Sequence, residues 1–302
     1  MNKIIIISGP TASGKTALAV SLAKMLNTEV ISCDSMQIYK NMDIGTAKVT
    51  IEEMDGVKHH MIDIVNPDMP YSVSDYSEKA LQIISNLHNK NKIPIICGGT
   101  GLYIDSLLYP LSFVVNKDDN IRDALYKELD KYGPEHMHAL LEDIDPKEAE
   151  KVHYNNTKRV IRALEIFKIT GKTKSELDER ERPLRYDSML IALNPERELL
   201  YSRINDRVDK MFTNGLLNEV KSLVNNGISF DMQSMQAIGY KEFKPYFNDE
   251  CSLEEVKDNI KTGSRNYAKR QITWLKRYPF AKFYDMSELS KIYEEIDNFI
   301  KE

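Results

Sequence analysis

Ile4-Ile5-Ile6-Ile7-Ser8-Gly9-Pro10-Thr11-Ala12-Ser13-Gly14-Lys15-Thr16 is the stretch that decides the fold. Its four branched apolar residues read as a buried strand over 4–7, and the run over 17–26 reads as the helix that follows. Between them, Gly9 to Thr16 fits G-x-x-x-x-G-K-[ST], the phosphate-loop pattern. Glycines let such a loop turn its N–H groups inward around an anion, and the helix N-terminus adds the positive end of its dipole. Lys15 is placed to reach the outer phosphate, and the Thr16 hydroxyl to hold Mg²⁺. The pattern specifies phosphate and is silent on the compound that carries it.

Working outward, strands are expected over 30–33 and 93–97. A helix is expected over 76–89, with Ala80, Leu81, Ile84 and Leu87 at helical spacing. Short apolar strands alternating with helices imply a parallel sheet covered on both faces. From 116 to 185 the strand signals stop, and helices are expected over 119–132, 135–142, 146–152 and 156–170. Gly133-Pro134, Asp145-Pro146 and Thr170-Gly171 supply the breaks. A strand over 188–193 resumes the alternation, with helices over 197–214, 216–226, 253–276 and 287–300. The expectation is an α/β fold: a P-loop NTPase-like parallel sheet core (1–115 and 186–302) carrying a helical insertion domain (116–185).

The 302 residues are 42% hydrophobic and 29% charged, the balance of an ordinary soluble globular protein. No stretch approaches the roughly 20 apolar residues of a membrane helix, and the first apolar run is too short for a signal peptide, so a cytoplasmic protein without a membrane partner is expected. Cys33, Cys97 and Cys251 are widely spaced and read as reduced thiols. Adjacent His59 and His60 point apart in an extended segment and read as structural, not metal-binding. The net charge is −5, yet charge is segregated: Lys261, Arg265, Lys269, Arg270, Lys276 and Arg277 fall in one stretch without an acidic residue.

An ATPase or kinase normally holds its metal with an Asp at the end of another core strand. Here the run over 93–97 ends in Gly98-Gly99-Thr100-Gly101, with no carboxylate. Asp34, after the run over 30–33, is the only strand-end carboxylate of the front half. It suits either a base acting on an acceptor or a cap on the following turn.

Several segments combine. They are the phosphate loop, Asp34-Ser-Met-Gln-Ile-Tyr39, Met42-Asp-Ile-Gly-Thr-Ala-Lys48, His59-His-Met-Ile-Asp-Ile64 and Gly98-Gly-Thr-Gly-Leu-Tyr103. Arg159-Val-Ile-Arg-Ala-Leu-Glu165, Ala237-Ile-Gly-Tyr-Lys-Glu242 and Ala268-Lys-Arg-Gln-Ile-Thr-Trp274 complete the set. In this order they resemble the bacterial tRNA dimethylallyltransferases (tRNA isopentenyltransferases) over nearly the whole chain.

That resemblance implies transfer of a dimethylallyl group from dimethylallyl pyrophosphate to the exocyclic amine of the adenosine at position 37, beside the anticodon. It makes Gly9–Thr16 a cradle for pyrophosphate, Asp34 the base and Thr100 a hydroxyl near the leaving group's bridging oxygen. Thr16 becomes a Mg²⁺ ligand, and Arg207 a pyrophosphate partner preferred over Arg203. The flipped adenosine would be read by Ser35, Met36 and Gln37 as well as Asp34 and Thr100. Further contacts to the tRNA anticodon stem-loop would come from Arg122, Lys158, Arg159, Arg162, Lys269 and Arg270, with the protein acting as a monomer. Lys158 departs from the Gln that many bacterial members carry there. No Cys/His cluster follows Trp274, so the zinc-finger extension of eukaryotic members is not expected. Tyr267 and Trp274 read as core residues. The rival readings are an ATP-dependent kinase of small metabolites and a nucleotide-gated RNA-binding switch.

Overall fold

A computed structural model describes residues 2–110, 119–177 and 183–301. They divide into two compact units, Met1–Leu108 with Leu184–Glu302, and Tyr109–Pro183.

The first unit is built on six strands: β1 Lys3–Ser8, β2 Val30–Ser32, β3 His59–His60, β4 Ile95–Cys97, β5 Asp187–Leu193 and β6 Ala281–Tyr284. All pair in parallel, in the order β3-β2-β4-β1-β5-β6. Ile4 to Ile7 of β1 are fully buried because strands flank them on both edges and helices cover both faces. This is a P-loop NTPase-like α/β sheet, as expected. The strands over 30–33, 93–97 and 188–193 are present within two residues of the expected ends. β3 and β6 were not expected. His59-His60 is two residues long, and Ala-Lys-Phe-Tyr carries little apolar signal.

Among the described residues nine α-helices belong to this unit: α1 Lys15–Met25, α2 Ile51–Met54, α3 Val73–His88 and α4 Gly101–Leu108, then, after the second unit, five from Arg197 onward. The second unit consists of α5 Asp119–Ile144, α6 Pro146–Ala149 and α7 Thr157–Thr170. Gly133 interrupts α5 with non-helical torsions (φ 85°, ψ 171°) just before Pro134, where the sequence places a break. Its apolar faces meet in a core of Leu125, Met137, Leu141, Val160, Ile161 and Leu164. The remaining helices are α8 Arg197–Thr213, α9 Leu216–Asn225, α10 Lys244–Phe247, α11 Leu253–Leu275 and α12 Leu289–Lys301. The expected domain boundary at 115/116 lies outside the described residues.

Parallel strand order sets the site. The carboxyl ends of β2, β4 and β1 lie side by side, the position where open α/β sheets bind ligands. Their loops are stitched together: Cys33 N donates to Cys97 O (2.7 Å), Thr100 N to Cys33 O (3.1 Å) and Gly98 N to Ile7 O (3.2 Å). Ser8 Oγ closes the set by donating to Gly98 O at 2.8 Å.

Candidate active site

The loop between β1 and α1 turns through Gly14, whose φ of 92° suits a residue without Cβ, so that Lys15 opens the helix. This is two residues earlier than the helix start expected from sequence, and it puts both Lys15 and Thr16 in the first turn. Lys15 Nζ donates to Pro10 O at 2.6 Å and faces a cavity of about 360 Å³. Burial lowers the Lys15 pKa to about 8; nearby Arg207 adds to this, while Cys97 and Asp34 pull it back up.

Asp34 lies at the same cavity wall, just beyond β2. Its Oδ1 accepts the amides of Met36 (2.9 Å) and Gln37 (3.4 Å), so it does cap the turn that follows. Among the described residues no hydrogen bond engages Oδ2. Capping the turn therefore uses one oxygen of the carboxylate and leaves the other without a hydrogen-bond partner. Ser35, Met36 and Gln37 also line the cavity, and Gln37 Nε2 is anchored on Ala47 O at 3.2 Å. Thr100, at the head of α4, has its Oγ1 accepting Ser35 N–H at 3.1 Å, directly behind Asp34.

Arg207 of α8 crosses to the phosphate loop. Nη1 donates to Thr11 Oγ1 at 3.0 Å and Nη2 to Ala47 O at 3.2 Å. Arg203, one turn earlier, is exposed and does not line the cavity. Burial holds the Arg207 pKa below its ordinary value, with Asp34 opposing.

Three further residues shape this wall. Gln271 of α11 is only 6% exposed; its Oε1 accepts Thr11 N–H at 3.1 Å and its Nε2 donates to Gly99 O at 3.0 Å. One side chain thus clamps the phosphate loop to the loop after β4. Its signal is present in the Ala268–Trp274 segment, where an uncharged Gln sits one turn after Tyr267. Tyr267, expected in the core, lines the cavity instead, and Arg270 lies with its guanidinium 5.7 Å from the Tyr267 ring. Burial pushes the Tyr267 hydroxyl up, reinforced by Asp34. Trp274 packs against Gly101, and its indole N–H donates to the Tyr278 hydroxyl at 3.2 Å.

The basic residues sort into two groups. Lys261 pairs with Asp209 (2.8 Å) and Arg265 donates to Asn205 Oδ1 (2.6 Å), so both fasten α11 to α8. Lys269 and Arg270 are exposed. In the helical unit, Lys158 and Arg159 are exposed on α7. Arg122 and Arg162 instead converge on Glu165 Oε2 at 2.6 and 2.7 Å, and Glu165 is 0% exposed. Burial raises the Glu165 pKa, but the two guanidinium hydrogen bonds outweigh it and leave the group below its ordinary value.

Among the described residues no cluster of three or more His, Cys, Asp or Glu side chains could hold a metal. His59 Nδ1 contacts Val57 O at 2.9 Å, and His60 Nε2 contacts Glu29 Oε2 at 2.6 Å. No described helix is long and apolar enough to cross a membrane.

The chain that carries this site is similar to known proteins in both sequence and fold. The family model described as IPP transferase matches residues 37–278. A tRNA dimethylallyltransferase of Bacillus cereus (strain AH187) is 50% identical over 298 residues, covering 97% of this chain and 92% of the relative. That of Bacillus anthracis is likewise 50% identical, covering 97% and 93%. The crystal structure of the full-length tRNA isopentenylpyrophosphate transferase of Bacillus halodurans superposes with a TM-score of 0.76 at 43% identity, over 100% of this chain and 97% of that one. A eukaryotic dimethylallyltransferase, captured acting on tRNA, gives a TM-score of 0.82 at 32% identity, over 96% of this chain and 75% of that one. With a matched stretch that takes in Gln37, Arg207 and Gln271, and relatives 50% identical over 97% of its length, the chain belongs to the IPP transferase family.

Proposed function

We propose that this chain transfers the dimethylallyl group of dimethylallyl pyrophosphate to the exocyclic amine of adenosine 37 in tRNA, releasing pyrophosphate, as a monomer in the cytoplasm. The observation that carries the reading is the shared cavity wall of Lys15, Arg207 and Asp34, two cations and one carboxylate oxygen without a hydrogen-bond partner.

The adenine amine is a weak nucleophile because its lone pair is delocalised into the ring. As the allylic C–O bond breaks and its electron pair leaves on pyrophosphate, the amine nitrogen forms the new N–C bond and its proton passes to Asp34 Oδ2. Lys15, Arg207 and the loop amides stabilise charge that grows on the departing oxygens. Thr100, held behind Asp34 by Ser35, can donate to the bridging oxygen. Gln37, Ser35 and Met36 would read the flipped base by its edge.

The donor set fits a hard cation bound mainly through substrate oxygens. Thr16 would supply one hydroxyl at the cavity, and among the described residues no carboxylate cage stands there, a donor set that would suit Mg²⁺ bound mainly through substrate oxygens. When bound, Mg²⁺ neutralises leaving-group charge.

Exposed Lys158 and Arg159 of the helical unit, and Lys269 and Arg270 of α11, would take tRNA phosphates. Arg122 and Arg162 would present guanidinium groups already fixed by Glu165. The test is nucleoside analysis of unmodified tRNA after incubation with the protein and dimethylallyl pyrophosphate. Isopentenyladenosine at position 37 supports the reading; unmodified adenosine there rejects it.

A further inference from the structure

The loop over residues 43–48 forms one wall of the cavity, and its hydrogen bonds lead away from the cavity to α9. Glu219 Oε2 accepts the amides of Asp43 and Ile44, each at 2.8 Å. Oε1 accepts the amide of Gly45 at 3.0 Å and the Tyr240 hydroxyl at 2.6 Å. Three consecutive N–H groups turned toward one carboxylate make an anion nest, and here the anion is the protein's own. The close approach requires Gly45, where a Cβ would lie 2.4 Å from the Tyr240 ring. Buried Lys48 adds a second tie, donating to Tyr39 O and pairing with Asp43 and Asp63.

The loop delivers Ala47 in the left-handed region, at φ 45°, which a residue with a Cβ adopts only when its surroundings hold it there. Its carbonyl is a shared anchor: Arg207 Nη2 and Gln37 Nε2 both donate to it at 3.2 Å. Glu219 itself does not line the cavity. It is linked to it through Gly45, Ala47 and then the two side chains assigned to pyrophosphate and to the adenine edge.

We infer that Glu219 is a positioning residue for prenyl transfer, setting Arg207 and Gln37 through the Ala47 carbonyl. This rests on the function proposed above. Removing the carboxylate frees three amides and a hydroxyl, lets Ala47 relax toward an ordinary conformation and unseats both donors together. A residue that only stabilises the fold would change the fraction of active protein and the melting temperature, and would leave the KM of the surviving molecules unchanged.

The experiment measures kcat and both KM values for labelled dimethylallyl pyrophosphate and unmodified tRNA, with active-site titration. It compares the wild type, Glu219→Ala, Glu219→Gln and Tyr240→Phe, each checked by thermal melting. Glu219→Ala is expected to lose about 100-fold in kcat/KM, the scale of an ångström-level misplacement, with a raised KM for the pyrophosphate donor. Glu219→Gln keeps one oxygen for the Asp43 and Ile44 amides and recovers part of the loss. Tyr240→Phe removes one donor and falls between wild type and Glu219→Ala; it carries the test if Glu219→Ala does not fold. In an Arg207→Ala background the further effect of Glu219→Ala shrinks, because the two act on one contact. Unchanged kcat and KM in titrated Glu219→Ala, or in Tyr240→Phe should Glu219→Ala not fold, overturn the inference while wild-type labelling of tRNA leaves the function standing. Absent labelling by the wild type overturns the function itself.

Discussion

Arg207 Nη1 donates to Thr11 Oγ1 at 3.0 Å, so a helix from the back half of the chain reaches into the phosphate loop of the front half. Arg203 belongs to the same helix but is exposed, one turn from this contact. Arg207→Ala should therefore raise the dissociation constant for dimethylallyl pyrophosphate by roughly 10–100-fold, the scale of one lost charged hydrogen-bonding partner, while Arg203→Ala changes it less than about twofold. Titration calorimetry with each variant checks this, and equal losses would shift the assignment to a general charge effect.

Gln271 gives a prediction in stability. It bonds two backbone groups of different loops while nearly fully buried, so Gln271→Ala leaves Thr11 N–H and Gly99 C=O without that partner. The expected cost is about 1–3 kcal/mol in urea unfolding, with donor affinity falling as the phosphate loop loosens. Gln271→Glu would keep the acceptor for Thr11 but set a negative charge beside the pyrophosphate site. It should bind the donor more weakly than Gln271→Ala does.

Lys15 carries a pH signature. Its pKa is about 8 in the folded protein because burial penalises the charged form, against an ordinary value near 10.5. Between these limits the unfolded chain binds the extra proton, so this group's contribution to stability rises with pH through that window and is constant below it. Binding runs the other way. The free enzyme loses the cation as pH climbs through about 8, and pyrophosphate affinity should fall there. A Lys15→Met variant should bind pyrophosphate weakly at all pH values and lack that inflection. An unchanged inflection in the variant would assign it to another group.

In the helical unit, Glu165 is buried beneath Arg122 and Arg162. Glu165→Ala should destabilise the protein by about 1–3 kcal/mol, since it strands two partly buried guanidinium groups. Because the Glu165 pKa is lowered on folding, its contribution is present above the ordinary carboxylate value and fades as pH falls through the lowered one. Lys158→Ala and Arg159→Ala, both at exposed positions, should instead leave stability unchanged. Each should reduce the salt dependence of tRNA binding by about one counterion. Filter binding across a salt series separates these effects.

What could be read from sequence follows from the range of each interaction. The strand, loop and helix around Gly9–Thr16 are contiguous, so local periodicity and one spacing pattern reveal them, and Asp34 is marked by ending a short apolar run. The breaks of the helical unit were equally local, with Gly133-Pro134 falling at the interruption of α5. The contacts that finish the site are not local. Gln271 meets Thr11 across 260 residues, and Glu219 meets the 43–45 loop across 174 to 176. No period or propensity reports such pairings. Tyr267 reads as core because an aromatic at helical spacing usually lies there, but α11 turns that face to the cavity wall. Two histidines carry no strand pattern of their own, and pairing with β2 is what makes them β3.

The central claim is that Asp34 takes a proton from the tRNA amine while the phosphate loop holds the leaving group. Asp34→Asn tests it most directly, because the amide keeps an oxygen for the Met36 and Gln37 N–H groups and removes only the basic oxygen. Labelled dimethylallyl pyrophosphate and unmodified tRNA should give rapid labelling with the wild type. With Asp34→Asn, labelling should drop by about 10²–10⁴-fold, the contribution of a positioned general base, while tRNA affinity is retained. Wild-type rates in Asp34→Asn, or ATP consumption with tRNA left unlabelled, would contradict the account.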